Sequence, residues 1–375
     1  MNRKTFFAAS LFLLFAPSLF PAAGGEGFLS LTGSYKGVLS SMDFPLEDAY
    51  TDFLNRLRIK TDIDMGDYAS AVFEYDIDWR FGDFAGSLPF EVSSQVQPTR
   101  FFNLEKVLLE ENDFYASHSI NRAFIVLSFS HFEVKAGRYV IDWGSGRAWN
   151  PSDPFYPLNP LLPEREDRIG ADALGVEIFT GEMTSFSGVV AGKGKRGEAV
   201  KALRYRTILK GTELALASFY DGEFSAGIDM SRTLLDAEFH VSARFSGDGN
   251  FEWAGGVDRA FPGSLKLGAE YYRNSGGNAD RDRYNWLELL GGREQFLARD
   301  YLFGWMDYEI TPLFRCQVYS LSNLNDGGLY VNPLLKYSMT VNTECELGYV
   351  HFRSDKEDEF SLYPDTAYLK FQWYF

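Results

Sequence analysis

Residues 53–79 read FLNRLRIKTDIDMGDYASAVFEYDIDW, and the alternation within them decides the fold. Before Gly66, one parity carries Phe53, Leu57, Ile59, Ile63 and Met65, and the other carries Arg56, Arg58, Lys60, Asp62 and Asp64. After Asp67, one parity carries Ala69, Ala71, Phe73, Tyr75, Ile77 and Trp79, and the other carries Ser70, Glu74, Asp76 and Asp78. Successive side chains of a strand point to opposite faces, so each segment reads as a strand with one apolar and one charged side. Gly66-Asp67 supplies a tight turn between them. Folding about Gly66 is expected to set Arg58 opposite Glu74 and Arg56 opposite Asp76. Facing opposite charges contribute roughly 0.2–1 kcal/mol per pair.

The same alternation recurs along the chain. Leu235, Ala237, Phe239, Val241, Ala243 and Phe245 stand against Asp236, Glu238, His240 and Arg244. Ala367, Leu369, Phe371, Trp373 and Phe375 stand against Tyr368, Lys370, Gln372 and Tyr374. About 18 such segments follow one another, and their connections alternate between short and long along nearly the whole chain, Asp221-Gly222 being a short turn in the long set. The short set is Gly66-Asp67, Ser130-His131, Gly181-Glu182, Lys210-Gly211, Ser231-Arg232, Phe261 to Gly263, Thr311-Pro312 and Val341-Asn342. The long set includes 80–118, 142–170 and 275–298. A sheet with two unlike ends produces this rhythm. The expected fold is an all-β, transmembrane, antiparallel up-and-down β-barrel of about 18 strands, with 16 as the alternative. A soluble sandwich explains alternation alone, but not the rhythm or the charged parity, which a wet lumen accommodates.

Composition fits this reading. The chain has 375 residues, 17% aromatic and 23% charged, with a net charge of −16. Its mean hydropathy of −0.20 excludes a helical membrane bundle, which needs repeated apolar runs of about 20 residues. The acidic balance excludes a nucleic-acid binder, because no basic excess neutralises phosphates. Two cysteines make no disulfide scaffold, and four histidines leave little for metal or catalytic chemistry, so no enzyme, cofactor or metal is expected. Arg3 and Lys4, the apolar stretch Phe6 to Phe20, and the small residues Ala22, Ala23 and Gly24 form a secretory signal peptide over 1–24. The mature barrel is then 25–375.

Two stretches carry a resemblance. The ending from Tyr368 to Phe375 resembles the terminal signal of bacterial outer-membrane barrels. That resemblance implies recognition of the last strand, ending in Phe375, by the barrel-assembly machinery. The second stretch runs Gly137-Arg138, then Trp143-Gly144-Ser145-Gly146, Asn150-Pro151-Ser152-Asp153, and returns through Gly170-Ala171-Asp172-Ala173. It resembles a segment of poorly characterised porin-like outer-membrane barrel families, which often carry Gln where this chain has Tyr139. The resemblance implies a barrel in the outer membrane of a diderm bacterium, bathed in outer-membrane lipids. A homo-oligomer is compatible with it.

Five prolines between Pro151 and Pro163, with Trp143, Trp149, Phe155 and Tyr156, make 142–170 stiff and aromatic. The loop is therefore expected to fold into or across the barrel mouth. Arg138, Arg147, Arg165 and Arg168, with Asp142, Asp153 and Asp172, are the candidate charges pinning it to the inner wall. Arg56, Arg58, Arg204 and Arg206, with Glu74, Asp76, Asp236 and Glu238, are the candidate lumen lining, since rows of charge set pore selectivity. Leu104, Val107, Leu108 and Glu111 recur at helical spacing, so a short helix is expected over 100–111. The functional expectation is a porin-like channel for passive diffusion of small hydrophilic solutes, its mouth narrowed by 142–170. The alternative is a closed, surface-exposed barrel with a binding, adhesion or structural role.

Overall fold

The computed structural model describes residues 28–45, 48–95, 101–155, 158–161, 168, 170–194, 198–290, 295–355 and 357–375. The expected leader over 1–24 lies outside them. In chain order the first strands are β1 Leu29–Asp43, β2 Tyr50–Asp64, β3 Ala69–Phe81, β4 Glu105–Glu111, β5 Phe114–Ser128 and β6 Phe132–Tyr139. Next come β7 Ala171–Gly181, β8 Thr184–Gly192, β9 Ala199–Leu209, β10 Thr212–Tyr220, β11 Phe224–Leu234 and β12 Ala237–Ser246. The last are β13 Phe251–Phe261, β14 Leu265–Arg273, β15 Asp300–Thr311, β16 Phe314–Asn323, β17 Leu329–Thr340, β18 Thr343–Arg353 and β19 Asp365–Tyr374. β1 pairs with both β2 and β19, which closes the sheet. The result is a closed antiparallel barrel of 18 strands, with β4 as an insert in one long connection.

The founding hairpin is in place, with its register moved by two residues. Met65 N–H bonds to Ala69 O at 3.0 Å, and Gly66 takes φ +90° with its N–H on Asp64 Oδ1. This wider turn faces Arg56 with Asp78, Arg58 with Asp76 and Lys60 with Glu74. A shift of two keeps every side chain on its own face. The pairs expected from a tighter turn survive as diagonals, Arg58 to Glu74 at 3.4 Å and Arg56 to Asp76 at 3.9 Å.

Two local expectations fail. Leu235 and Asp236, at φ 52° and 62°, form the turn between β11 and β12, so Ser231 and Arg232 belong to β11. Both values suit a two-residue turn whose twist matches the strands. The second concerns 100–111, which holds β4 and not a helix. β6 stops at Tyr139, leaving the edge of Phe114 to Ser119 without a neighbour on that side. Backbone donors and acceptors there need partners, and β4 supplies them, pairing Glu105 with Ser119 and Glu111 with Phe114. The helix in this loop, α1, is Leu88–Gln95 instead.

The faces separate as alternation requires. Phe186, Leu203, Leu216, Phe239, Leu302 and Leu347 are exposed on the outside. Buried residues of the opposite parity form cores inside the barrel.

Candidate functional site: the barrel lumen

The chain leaving β6 turns inward. Tyr139, Ile141 and Trp143 are buried against Val189, Ala202 and Phe219 of β8, β9 and β10. Asp153 accepts the N–H groups of Trp143 and Phe155 at 2.9 and 2.8 Å, drawing 143–153 into a closed lobe. Within the lobe Asn150 Oδ1 accepts the Gly146 N–H at 2.6 Å. Gly144 sits at φ +139°, and a Cβ there would come 2.6 Å from the Asn150 side chain, so a glycine is required.

Inward side chains of the far wall hold this lobe. Asp229 on β11 accepts the Ser145 N–H and hydroxyl at 3.0 and 3.1 Å. Ser242 on β12 accepts the Ser152 N–H at 3.2 Å and donates to its hydroxyl at 2.8 Å. Glu270 on β14 accepts three consecutive backbone N–H groups: Arg147 at 2.8 Å, Ala148 at 3.3 Å and Trp149 at 2.8 Å. His240 Nε2 lies 2.9 Å from the same carboxylate. A carboxylate ringed by successive amides is a charge-assisted anchor, stronger than neutral hydrogen bonds. Two cation–ring contacts join loop and wall: the loop's Arg147 lies 3.8 Å over Trp305 of β15, and Arg204 of β9 lies 5.6 Å over the loop's Trp143.

The lobe also seeds an apolar fill. Trp149 stacks on Tyr272 at 4.9 Å and meets Phe296 and Phe303 edge-on. The cluster continues through Tyr301, Leu321, Tyr330, Phe360 and Tyr368. The inward face of β2, β3 and β5, continued by Lys370 of β19, is different, because it carries paired charges. Arg56 binds Asp78 through two nitrogens at 2.8 and 3.1 Å, and Arg58 binds Asp76 twice at 2.7 Å. Arg122 approaches Glu74 at 3.8 Å, and Lys370 approaches Glu346 at 3.0 Å. The lumen thus has one wall covered by a pinned loop and aromatics, and one wall carrying a paired charge ladder.

The residues singled out from the sequence divide accordingly. Arg56, Arg58, Glu74 and Asp76 sit together on the ladder. Arg147, Asp153 and Arg204 meet at the lobe. Asp142 is exposed and pairs with Arg168, and Arg206 lies 3.6 Å from Glu213. Arg165 lies outside the described residues. Asp236 occupies the β11–β12 turn, so its side chain lines no strand face. Glu238 keeps the inward parity but is exposed, at the short-turn end of β12. Arg138 and Asp172 do not face the lumen. Arg138 shares its parity with Phe132, and Asp172 shares its parity with Leu174 and Ile178, which are exposed outside. There the pair is bidentate, at 2.7 and 2.8 Å, and buried. Arg138 also donates to Ile120 O at 3.0 Å and Phe102 O at 2.6 Å, and Asp172 accepts the Phe102 N–H at 2.9 Å. The pair therefore seals the joint where β6 leaves the sheet and β4 takes over.

Glu270, Asp229, Ser242 and Trp305 were not singled out from the sequence. Each is one inward residue on an ordinary alternating strand, and its partner in the lobe lies more than 80 residues away.

No family model matches the chain, and no curated protein sequence matches it. Solved structures do match over nearly its whole length. OccAB3 of Acinetobacter baumannii aligns with a TM-score of 0.61 at 11% identity, over 92% of this chain and 99% of that one. The outer membrane protein opdK of Pseudomonas aeruginosa aligns at 0.59 with 10% identity, over 93% and 100%. OccD3 (OpdP) of Pseudomonas aeruginosa aligns at 0.56 with 11% identity, over 95% and 94%. At these identities the likeness is one of fold: this chain shares the barrel architecture of those proteins.

Proposed function

We propose that the chain is an outer-membrane, porin-like channel for passive diffusion of small hydrophilic solutes, narrowed by the loop that begins at 142. The observation that carries this reading is the lobe 143–153, held across one inner wall by Asp229, Ser242 and Glu270. A loop fixed at one wall narrows a barrel without needing to seal it, and directs solutes along the opposite wall. That wall carries the ladder of Arg56, Arg58, Glu74 and Asp76, whose fixed charges of both signs suit hydrated, polar solutes. The leader delivers the chain across the inner membrane, and the strand ending in Phe375 hands it to the assembly machinery. The same reading predicts that the mature protein, recovered from outer membranes, begins at Gly25. N-terminal sequencing checks this, and a retained Met1 would contradict cleavage.

Conductance in planar bilayers tests the channel. Purified, folded protein is expected to give discrete open-channel steps in salt. The apolar fill around Trp149 favours a second reading, a barrel closed at its outer end. Silence in the bilayer from protein that is folded on a heat-modifiability gel would reject the channel in favour of that closed barrel.

A further inference from the structure

The outer wall carries a feature that transport does not use. The segment Phe101 to Leu104 stands on the outside of β7 and β8, stapled there by Arg138 and Asp172. Phe101 lies against Gly192, where a Cβ would come 2.6 Å from it. Beneath this ledge opens a groove of about 510 Å³, lined by Leu104, Ala123, Leu174 and Val190 among others. A second groove of about 280 Å³ lies on the other side of Val190, between β8, β9 and β10.

Strand register fixes the level of these grooves. Leu174 faces Val190, Val190 faces Lys201, Lys201 faces Tyr220, and Tyr220 faces Phe224, one row around the outside. Tyr220 and Phe224 are exposed and sit at the long-loop end of their strands, where a barrel carries its outer aromatic girdle. Lys201 is the basic side chain in this row. It is exposed, borders the second groove, and has no ion-pair partner among the described residues. A lysine on the lipid-facing parity lays its stem along apolar surface and lifts its ammonium to the headgroups.

We infer that this face is a docking site for one phosphate-bearing membrane lipid, with an acyl chain in the groove under the Phe101–Leu104 ledge and its phosphate on Lys201. Continuity and charge point to this occupant. The groove opens directly onto the exposed apolar belt through Leu174 and Val190, so lipid chains are what meets it. Lys201, across Val190 on the border of the second groove, selects an anionic head. Glu198 also borders the groove, at the loop end, and sets an upper limit to where an anion sits. The inference needs the barrel to stand in a membrane and is independent of whether it conducts.

Native mass spectrometry of the full chain, purified in mild detergent, tests it. The probes are phosphatidylglycerol and phosphatidylcholine with identical oleoyl chains. The wild type is expected to retain one phosphatidylglycerol about fivefold better than phosphatidylcholine, the factor expected for one lysine near a charged headgroup. Lys201→Gln is expected to abolish that preference, and Val190→Trp, which fills the groove, to remove the retained lipid of either kind. Heat-modifiability on gels checks that each variant is folded. Equal retention of both lipids by the wild type would overturn the inference. So would a preference unchanged in Lys201→Gln. A barrel dimer that Val190→Trp dissociates would assign the groove to a second copy and also overturn it.

Discussion

Replacing Glu270 by Ala is expected to release the pore lobe and raise single-channel conductance by at least about twofold, with the barrel still folded. The carboxylate takes three consecutive N–H groups, from Arg147, Ala148 and Trp149, and is itself buried. Hydrogen bonds to a charged group contribute about 1.5–3 kcal/mol each, and a donor left buried and unpaired costs about 1–3 kcal/mol. Even with partial compensation by water, the lobe loses on the order of 3–5 kcal/mol of its hold on β14. Asp229 and Ser242 keep its other edges, so the expected result is a mobile, partly withdrawn loop. Trypsin provides an independent readout, because cleavage after Arg147 becomes accessible once its backbone leaves the wall. Glu270→Gln keeps one acceptor oxygen and is expected to fall between. Conductance equal to the wild type, with Arg147 still protected, would show that Glu270 does not hold the loop.

The barrel itself was legible because its signal is periodic and redundant. One residue in two on nearly every strand is apolar and faces outward, and the alternation repeats through strands such as β2, β3, β12 and β19. Turn chemistry was legible where glycine marked it, as at Lys210-Gly211, both at positive φ. It was not legible at Leu235-Asp236, where a leucine, which lacks any turn preference, takes left-handed geometry ahead of the aspartate. The hairpin register missed by two for a related reason. Gly66 located the turn, but a side-chain acceptor, Asp64, widened it.

The candidate site was less legible, for physical reasons that differ by residue. Arg58 and Asp76 were visible because a ladder repeats its charges strand by strand. Glu270 was invisible because its partners are main-chain amides over 120 residues earlier, and amides carry no sequence. Arg138 and Asp172 were seen as a charged pair, but the face was assigned wrongly. An ion pair on an apolar outer face is costly unless its groups are paired and covered. The ledge from Phe101 to Leu104 provides that cover, and the segment was expected to be helical. That expectation rested on helical spacing in a run too short to choose between periods. The strand won because it satisfies the open edge of β5.

Stability of the cap built from the β14–β15, β16–β17 and β18–β19 connections is expected to fall as pH rises through about 7, and Glu359→Gln is expected to remove that dependence. Glu359 lies in the connection between β18 and β19 and is fully buried. It accepts the Leu297 N–H at 2.7 Å, the Tyr301 hydroxyl at 2.6 Å and the Asn323 amide at 2.8 Å, so it ties three long connections together. Asp326 faces it, accepting the Glu359 N–H at 3.0 Å and the Tyr284 hydroxyl at 3.1 Å. Burial pushes the Glu359 carboxyl up to about 7; the charge of Asp326 adds to this, and the bonds from Tyr301, Leu297 and Asn323 oppose it. A carboxyl raised on folding favours the folded cap while protonated. Its contribution is therefore complete below the unfolded value of 4.5 and is lost as pH rises through about 7. The whole span is worth about 3 kcal/mol. Hydrogen exchange in 296–301 and 323–328 reads it directly, with faster exchange at pH 8 than at pH 5 beyond the intrinsic chemical rate. The ring of Tyr301 is 6.3 Å from that of Trp149, so Trp149 fluorescence is expected to shift with the same midpoint. Glu359→Gln keeps the volume and one of the two acceptor oxygens but cannot ionise, so its cap is weakened alike at every pH and is expected to exchange equally at both pH values. A slope in Glu359→Gln as steep as in the wild type would assign the pH dependence to another group.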